Sequence, residues 1–168
     1  MPDIKTSCCF TGHRASKLPW GFNEQDDRCK ALKIAIFDAV ESVYDSGIRH
    51  YICGMANGCD LYFAEAVLEL RQLHSDVTLE ATVPYEGQSS GWSDREKARW
   101  QRIVDLADFY TLVSLSYTRD CMQKRNKYMV DNSSVLIAAY NSGSGGTLNT
   151  LLYAIRNGRE VIQLPIQE

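Results

Sequence analysis

Ser134-Val135-Leu136-Ile137-Ala138-Ala139-Tyr140-Asn141-Ser142-Gly143-Ser144-Gly145-Gly146-Thr147-Leu148-Asn149-Thr150 is the stretch whose reading decides the fold. It opens as an unbroken apolar run, the pattern of a strand buried on both faces. A Gly/Ser segment interrupts it. The pattern then resumes at helical spacing, with Leu148, Leu151, Leu152 and Ile155 at i, i+3, i+4 and i+7. Strand, glycine segment and helix together suit a phosphate. Glycines let the backbone approach an anion, and the first N–H groups of the helix point at it with the positive end of the macrodipole behind them. Thr147 adds a hydroxyl where the helix begins. The plain alternative is a connection between strand and helix. Such connections run about two to six residues and seldom carry three glycines followed by Thr. Tyr140, Asn141, Gly143, Gly145, Gly146 and Thr147 are therefore candidate ligand contacts.

Outward from this stretch the chain alternates strand and helix. Residues 6–11 predict a first strand that runs into Gly12-His13-Arg14. Residues 23–46 predict a helix with Leu32, Ala35, Ile36, Ala39, Val40 and Val43 as its apolar stripe, stopped by Gly47. Residues 48–53 form a second strand that ends in Gly54-Met55-Ala56-Asn57-Gly58-Cys59-Asp60. The helix that follows has Asn57 as its expected N-cap and Asp60 in the manner of a capping box. Residues 77–83 are a third strand, closed by Pro84, and residues 85–92 a loop. A charged helix over 94–106 carries Trp100, Ile103 and Val104 inward. A strand over 109–115, a Lys/Arg-rich helix over 121–130 and a last strand over 161–164 complete the chain.

This alternation predicts one α/β domain over residues 1–168. Its architecture is Rossmann-like and doubly wound: a mostly parallel sheet of about six strands with helices on both faces. Ligands on such sheets bind at the carboxyl ends of the strands, where the strand order reverses. The segments 11–14, 54–60 and 140–147 should converge there. That makes Thr11, Gly12, His13, Arg14, Gly54, Met55, Gly58 and Asp60 candidate ligand contacts as well. Arg14 can clamp a phosphate bidentately or form a surface ion pair. His13 can donate a proton near neutral pH or hydrogen-bond within its loop. Asp60 can bind a ribose diol or complement the helix dipole. Trp92 can stack on a base or pack a lid onto the body.

Composition bounds the function. At 168 residues, with 45% apolar and 23% charged residues, the chain fits a globular protein with one core. A net charge of −3 gives no global reason for nucleic-acid binding but leaves a local basic patch open, and no basic face with interleaved aromatics is evident. No apolar run approaches the roughly 18–20 residues needed to span a bilayer. The first residues lack the pattern of a signal peptide, so a cytoplasmic location without a membrane partner is expected. The six cysteines form no CxxC pair, and with three histidines no metal site is expected.

Phe10-Thr11-Gly12-His13-Arg14, Cys53 to Glu65, and the late strand leading into Gly143 to Thr147 together resemble the YpsA-like family of the SLOG superfamily. That superfamily includes the cytokinin-activating LOG proteins and the DNA-processing protein DprA. The similarity runs from about residue 9 to residue 164. It implies a nucleotide-derived ligand, such as ADP-ribose or a nucleoside phosphate, in the crevice, with no further cofactor required. Gly143, Gly146 and Thr147 match the superfamily's phosphate-binding glycine loop, and Arg125 its preceding arginine. The LOG glutamate that supports N-glycosidic cleavage falls at Thr150, which has no carboxylate. Asp60, Glu65 and Arg125 remain as catalytic candidates. Asp60 and Glu65, five residues apart, lie roughly 140° apart on a helix and do not share a face. Helix faces in this superfamily often make dimers, so a homodimer is one arrangement the resemblance allows. The favoured reading is a ligand-binding sensor or regulatory module. The alternatives are a LOG-type nucleoside-phosphate hydrolase and a DprA-like single-stranded nucleic-acid binder.

Overall fold

A computed structural model describes residues 2–141, 143 and 145–168, so Ser142 and Ser144 of the opening stretch lie outside the described residues. Six strands form one sheet: β1 (Ser7–Gly12), β2 (His50–Cys53), β3 (Thr78–Val83), β4 (Phe109–Leu112), β5 (Val135–Ala139) and β6 (Glu160–Leu164). Their order is β4-β3-β2-β1-β5-β6, and every pairing is parallel. The chain thus builds outward from β1 to β4, then returns to place β5 on the other side of β1. The reversal falls between β1 and β5, and the carboxyl ends of these two strands flank it.

Five α-helices connect the strands: α1 (Asp27–Asp45), α2 (Cys59–Leu73), α3 (Asp94–Leu106), α4 (Cys121–Asp131) and α5 (Gly146–Arg156). Alternation along each strand sends side chains to two separate cores. Cys8, Phe10, Tyr51, Cys53, Leu79, Ile137 and Ala139 face α1, α2 and Ile103 of α3. Cys9, Ile52, Leu136 and Ala138 face Met129 and Val130 of α4 and Leu151 and Ala154 of α5. β5 is buried at every position. All six cysteines are free and buried, and burial pushes the Cys9 thiol up to about 12.

Several boundaries differ from the sequence expectation. α1 begins at Asp27 rather than residue 23, because the Asp26 carboxylate accepts from the Arg28 N–H at 2.9 Å and fixes the start there. Gly58, not Asn57, occupies the N-cap of α2. The Asn57 side chain instead accepts from the Ala15 N–H at 3.2 Å, while Asp60 reaches back to the Ala56 N–H at 3.1 Å. β4 stops at Leu112. Its partner β3 ends at Val83, and the following Pro84 has no N–H to continue the ladder. α5 keeps the expected spacing one residue out of phase. Thr147, Thr150, Leu151 and Ala154 are its buried face, and Leu152 and Ile155 are exposed. No helix among the described residues is long and apolar enough to cross a membrane, and no cluster of His, Cys, Asp or Glu there could hold a metal ion.

Candidate functional site

A crevice of about 300 Å³ opens where the strand order reverses. The segment leaving β1 contributes Thr11, Gly12, His13, Arg14 and Lys17, and the start of α2 contributes Asp60. Met122, Arg125 and Asn126 come from α4, and Gly146 and Thr147 open α5. Two glycines let the first two segments pack together. A Cβ on Gly12 would lie 2.6 Å from the Cys59 Cβ. One on Gly58, whose φ is +84°, would lie 2.6 Å from the Ala15 nitrogen and 2.9 Å from the His13 carbonyl oxygen. The Cys59 N–H donates to that carbonyl at 3.2 Å. The β1 segment is thus clamped onto the N-terminus of α2.

Arg125 is the buried cation of the crevice. Its guanidinium donates to the Gly54 carbonyl, and its Nε to Asn126 Oδ1 at 2.9 Å. Gln88 also donates to the Gly54 carbonyl, at 3.2 Å, and a Cβ on Gly54 would lie 2.9 Å from the guanidinium carbon. Burial lowers the Arg125 pKa and Asp60 opposes the change. Burial also raises Asp60, with Arg125 and the Ala56 N–H holding it down in part. Desolvation and then Lys17 lower the His13 pKa from its ordinary value. Neither Arg14 nor Lys17 has a carboxylate partner among the ion pairs of the described residues. Arg14 reaches across the crevice to the Met122 sulfur at 3.7 Å.

At the fourth wall, Gly145 is the N-cap of α5. With φ at +118° it supplies no side-chain cap, and among the described residues no partner takes the Gly146 and Thr147 N–H groups, which open onto the crevice. The Lys17 ammonium lies 3.7 Å from where a Gly145 Cβ would stand. Gly143 also has a positive φ, and its carbonyl accepts from the Tyr140 hydroxyl at 2.7 Å. The Tyr140 ring lies 5.9 Å from His13, and Asn141 bonds Glu168. Thr150 donates to the Gly146 carbonyl at 2.8 Å, which occupies its hydroxyl within the helix.

The sequence candidates therefore divide. Thr11, Gly12, His13, Arg14, Asp60, Arg125, Gly146 and Thr147 line the crevice. Gly54, Gly58 and the buried Met55 (φ +64°) form scaffold behind it. Glu65 is not brought to it. Its carboxylate is held by Arg99 at 2.5 Å, and Arg99 Nη1 also bonds Glu24 at 2.5 Å. Burial opposes the Arg99 charge, but hydrogen bonds to Glu65 and Glu24 outweigh it and raise the Arg99 pKa. Glu65 thus links α2 to α3, on a different side of its helix from Asp60. Trp92 packs against the larger core and borders a recess of about 70 Å³ beside Arg14, Tyr85 and Met122. Sequence reasoning passed over Lys17 and Met122, and of the tract 124–127 it kept only Arg125. Lys17 follows Arg14 by three residues, a spacing that a single 3₁₀ turn over Ala15–Lys17 brings back to the same side.

All-parallel strands with the reversal between β1 and β5 and a cationic crevice at that point define a Rossmann-like α/β protein. Residues 8–167 match the YpsA family, described as the YspA SLOG family, and the chain belongs to it. YpsA of Bacillus subtilis (strain 168) is 23% identical over 160 residues, covering 94% of this chain and 88% of that protein. DNA processing protein A (DprA) from Streptococcus pneumoniae shares the fold with a TM-score of 0.64 at 17% identity, covering 96% of this chain and 50% of that one. DprA from Helicobacter pylori, a structure that describes a single-stranded DNA binding mode, also gives 0.64, at 13% identity, covering 98% and 67%. This chain spans half the length of the S. pneumoniae protein.

Proposed function

We propose that the crevice binds the phosphate of a nucleotide-derived ligand, of the nucleoside-phosphate or ADP-ribose type, and that the protein acts as a sensor or regulatory module. Charge balance carries the reading. Arg14, Lys17 and Arg125 face a single lining carboxylate, Asp60, in a chain whose net charge is −3. Open N–H groups at the start of α5 add donors of the kind that receive phosphate. The volume of about 300 Å³ sits at the lower end of the roughly 300–1,000 Å³ usual for small-ligand sites.

One observation favours hydrolysis as a second reading. Asp60 is a buried carboxyl in the crevice, and burial raises its pKa, as suits a general acid. Against it, Asp60 already accepts from the Ala56 N–H, Glu65 is spent on Arg99, and Thr150 carries no charge. Calorimetric titration with AMP, combined with chromatographic detection of adenine, separates the two. A binder takes up AMP and releases little adenine. Rapid release, reduced about 10²–10⁴-fold in Asp60→Asn, would make the protein a hydrolase instead. Absence of AMP binding at millimolar concentration would overturn both.

A further inference from the structure

We propose that the ligand extends past its first phosphate and sets a second anionic group in the groove between α4 and α5; this rests on the crevice reading above. The groove has a volume of about 620 Å³ and shares Met122, Asn126 and Gly146 with the crevice, so the two are continuous. Arg119, Lys127 and Arg156 line it, together with Gln123, Asn149 and Tyr153. No carboxylate lines the groove, and none forms an ion pair with these three cations among the described residues. The nearby acids are engaged. Asp131 accepts from the Tyr153 hydroxyl at 2.8 Å, and Asp120 pairs with Lys124 at 3.3 Å.

A net acidic balance leaves room for a local basic patch, and the fold assembles one here. In a chain with 21 acidic and 18 basic residues, crevice and groove together gather Arg14, Lys17, Arg119, Arg125, Lys127 and Arg156 against Asp60 alone. The chemistry of this surface fits a small pyrophosphate-linked nucleotide better than a run of bases. Strands of nucleic acid are held by stacking on open aromatic faces as well as by charge. The one aromatic in the groove is Tyr153, whose ring has the Lys127 ammonium 5.8 Å from its centroid and whose hydroxyl is bonded to Asp131. The amides of Gln123, Asn126 and Asn149 supply neutral donors between the cations.

The test is calorimetry at low ionic strength with AMP, ADP-ribose and a twelve-residue oligothymidylate, on the natural protein and on the double variant Lys127→Glu/Arg156→Glu. Exposed ion pairs are each worth a few-fold in affinity, and reversing two of them compounds the effect. ADP-ribose should bind about tenfold more tightly than AMP to the natural protein. The double variant should lose that advantage, hold AMP within about twofold, and melt only a few degrees lower, since both side chains are exposed but Arg156 sits in the last turn of α5 and Lys127 beside the Tyr153 ring. Equal affinity for AMP and ADP-ribose, or an advantage untouched by the double variant, would overturn the second subsite and leave the crevice reading standing. Oligothymidylate binding tighter than ADP-ribose and lost in the variant would overturn it in favour of nucleic acid. Failure of AMP and ADP-ribose alike would overturn the crevice reading with it.

Discussion

Replacing Gly58 by Ala should dismantle the crevice from behind, with every residue that lines it left unsubstituted. Gly58 combines φ +84° with ψ −130°, a region essentially confined to glycine. Holding a non-glycine residue there costs about 1–3 kcal/mol. The added Cβ would also meet backbone rather than a side chain that can swing away, at 2.6 Å from the Ala15 nitrogen and 2.9 Å from both the Arg14 carbonyl carbon and the His13 carbonyl oxygen. Overpacking of this kind costs about 1–3 kcal/mol more. The two effects share one relief, a shift of the β1 segment away from α2, so about 3–4 kcal/mol is a reasonable total. At about 2–4 °C per kcal/mol for a chain of this size, the melting temperature should fall by roughly 6–16 °C. Thermal unfolding followed by circular dichroism measures this. Gly91→Ala, where the Cβ meets nothing within 4 Å and φ is ordinary, is the control and should lie within about 0.5 kcal/mol of the natural protein. Because the shift would move Arg14 and Lys17, phosphate affinity should fall in Gly58→Ala even at temperatures where the protein is folded. A melting temperature lowered by less than about 2 °C would refute the close approach on which the crevice geometry depends.

Three further outcomes follow from the same geometry. Gly146→Val should leave the fold intact, since a Cβ there meets nothing within 4 Å, yet abolish AMP binding by filling the anion site; unchanged affinity in calorimetry would reduce the glycine segment to a connection. Glu80 anchors α4, and with it Arg125, by accepting from the Tyr128 hydroxyl at 2.7 Å and from Thr111 at 2.9 Å, and by pairing with His50 at 2.8 Å. Burial tends to raise the Glu80 pKa, but bonds from His50, Tyr128 and Thr111 outweigh it, so the folded pKa lies below the ordinary carboxylate value. That stabilisation is therefore complete above the unfolded pKa, about 4.3, and is lost as pH falls through the folded one. Urea titrations between pH 6 and 3 should show a shallower acid loss in Glu80→Gln, and an identical slope would remove Glu80 from the account. Tyr128→Phe, which keeps the ring, should weaken AMP binding by several-fold while lowering stability by about 1 kcal/mol; a stability loss with unaltered affinity would mean that α4 holds Arg125 without this bond.

The alternation of elements was legible because the strands are short segments rich in apolar and β-branched residues, as in β5, and the longer helices carry a periodic stripe. The rule for open parallel sheets then pointed to the carboxyl ends of the strands, but not to β1 and β5 as the pair that flanks the reversal. What the sequence left open were choices made by single contacts. The phase of α5 depends on Thr150 and Ala154, small residues that sit against the sheet while the larger Leu152 and Ile155 turn outward. Periodicity weighted by hydrophobicity selects the wrong edge of that stripe. Asn57 has cap chemistry, but its oxygen is drawn to the Ala15 N–H by the packing of Gly58 against the β1 segment, a long-range contact with no local signature. Glu65 read as a site residue through resemblance alone, and Arg99, thirty-four positions later, claims it. Lys17 escaped because its placement depends on a 3₁₀ turn, and that Asn126 faces the crevice depends on how Tyr128 and Glu80 fix α4. Apart from Arg125 on α4, the crevice residues that could be named in advance lie in or just after the segments that leave strand ends, where topology brings them together.

If a phosphate binds where β1, α2, α4 and α5 meet, a crystal structure of the protein grown with AMP will show it. Phosphate density is expected within hydrogen-bonding distance of the Gly146 and Thr147 N–H groups, with Arg14, Lys17 and Arg125 around it. A well-ordered AMP whose phosphate lies elsewhere, with the crevice filled by water alone, would contradict it.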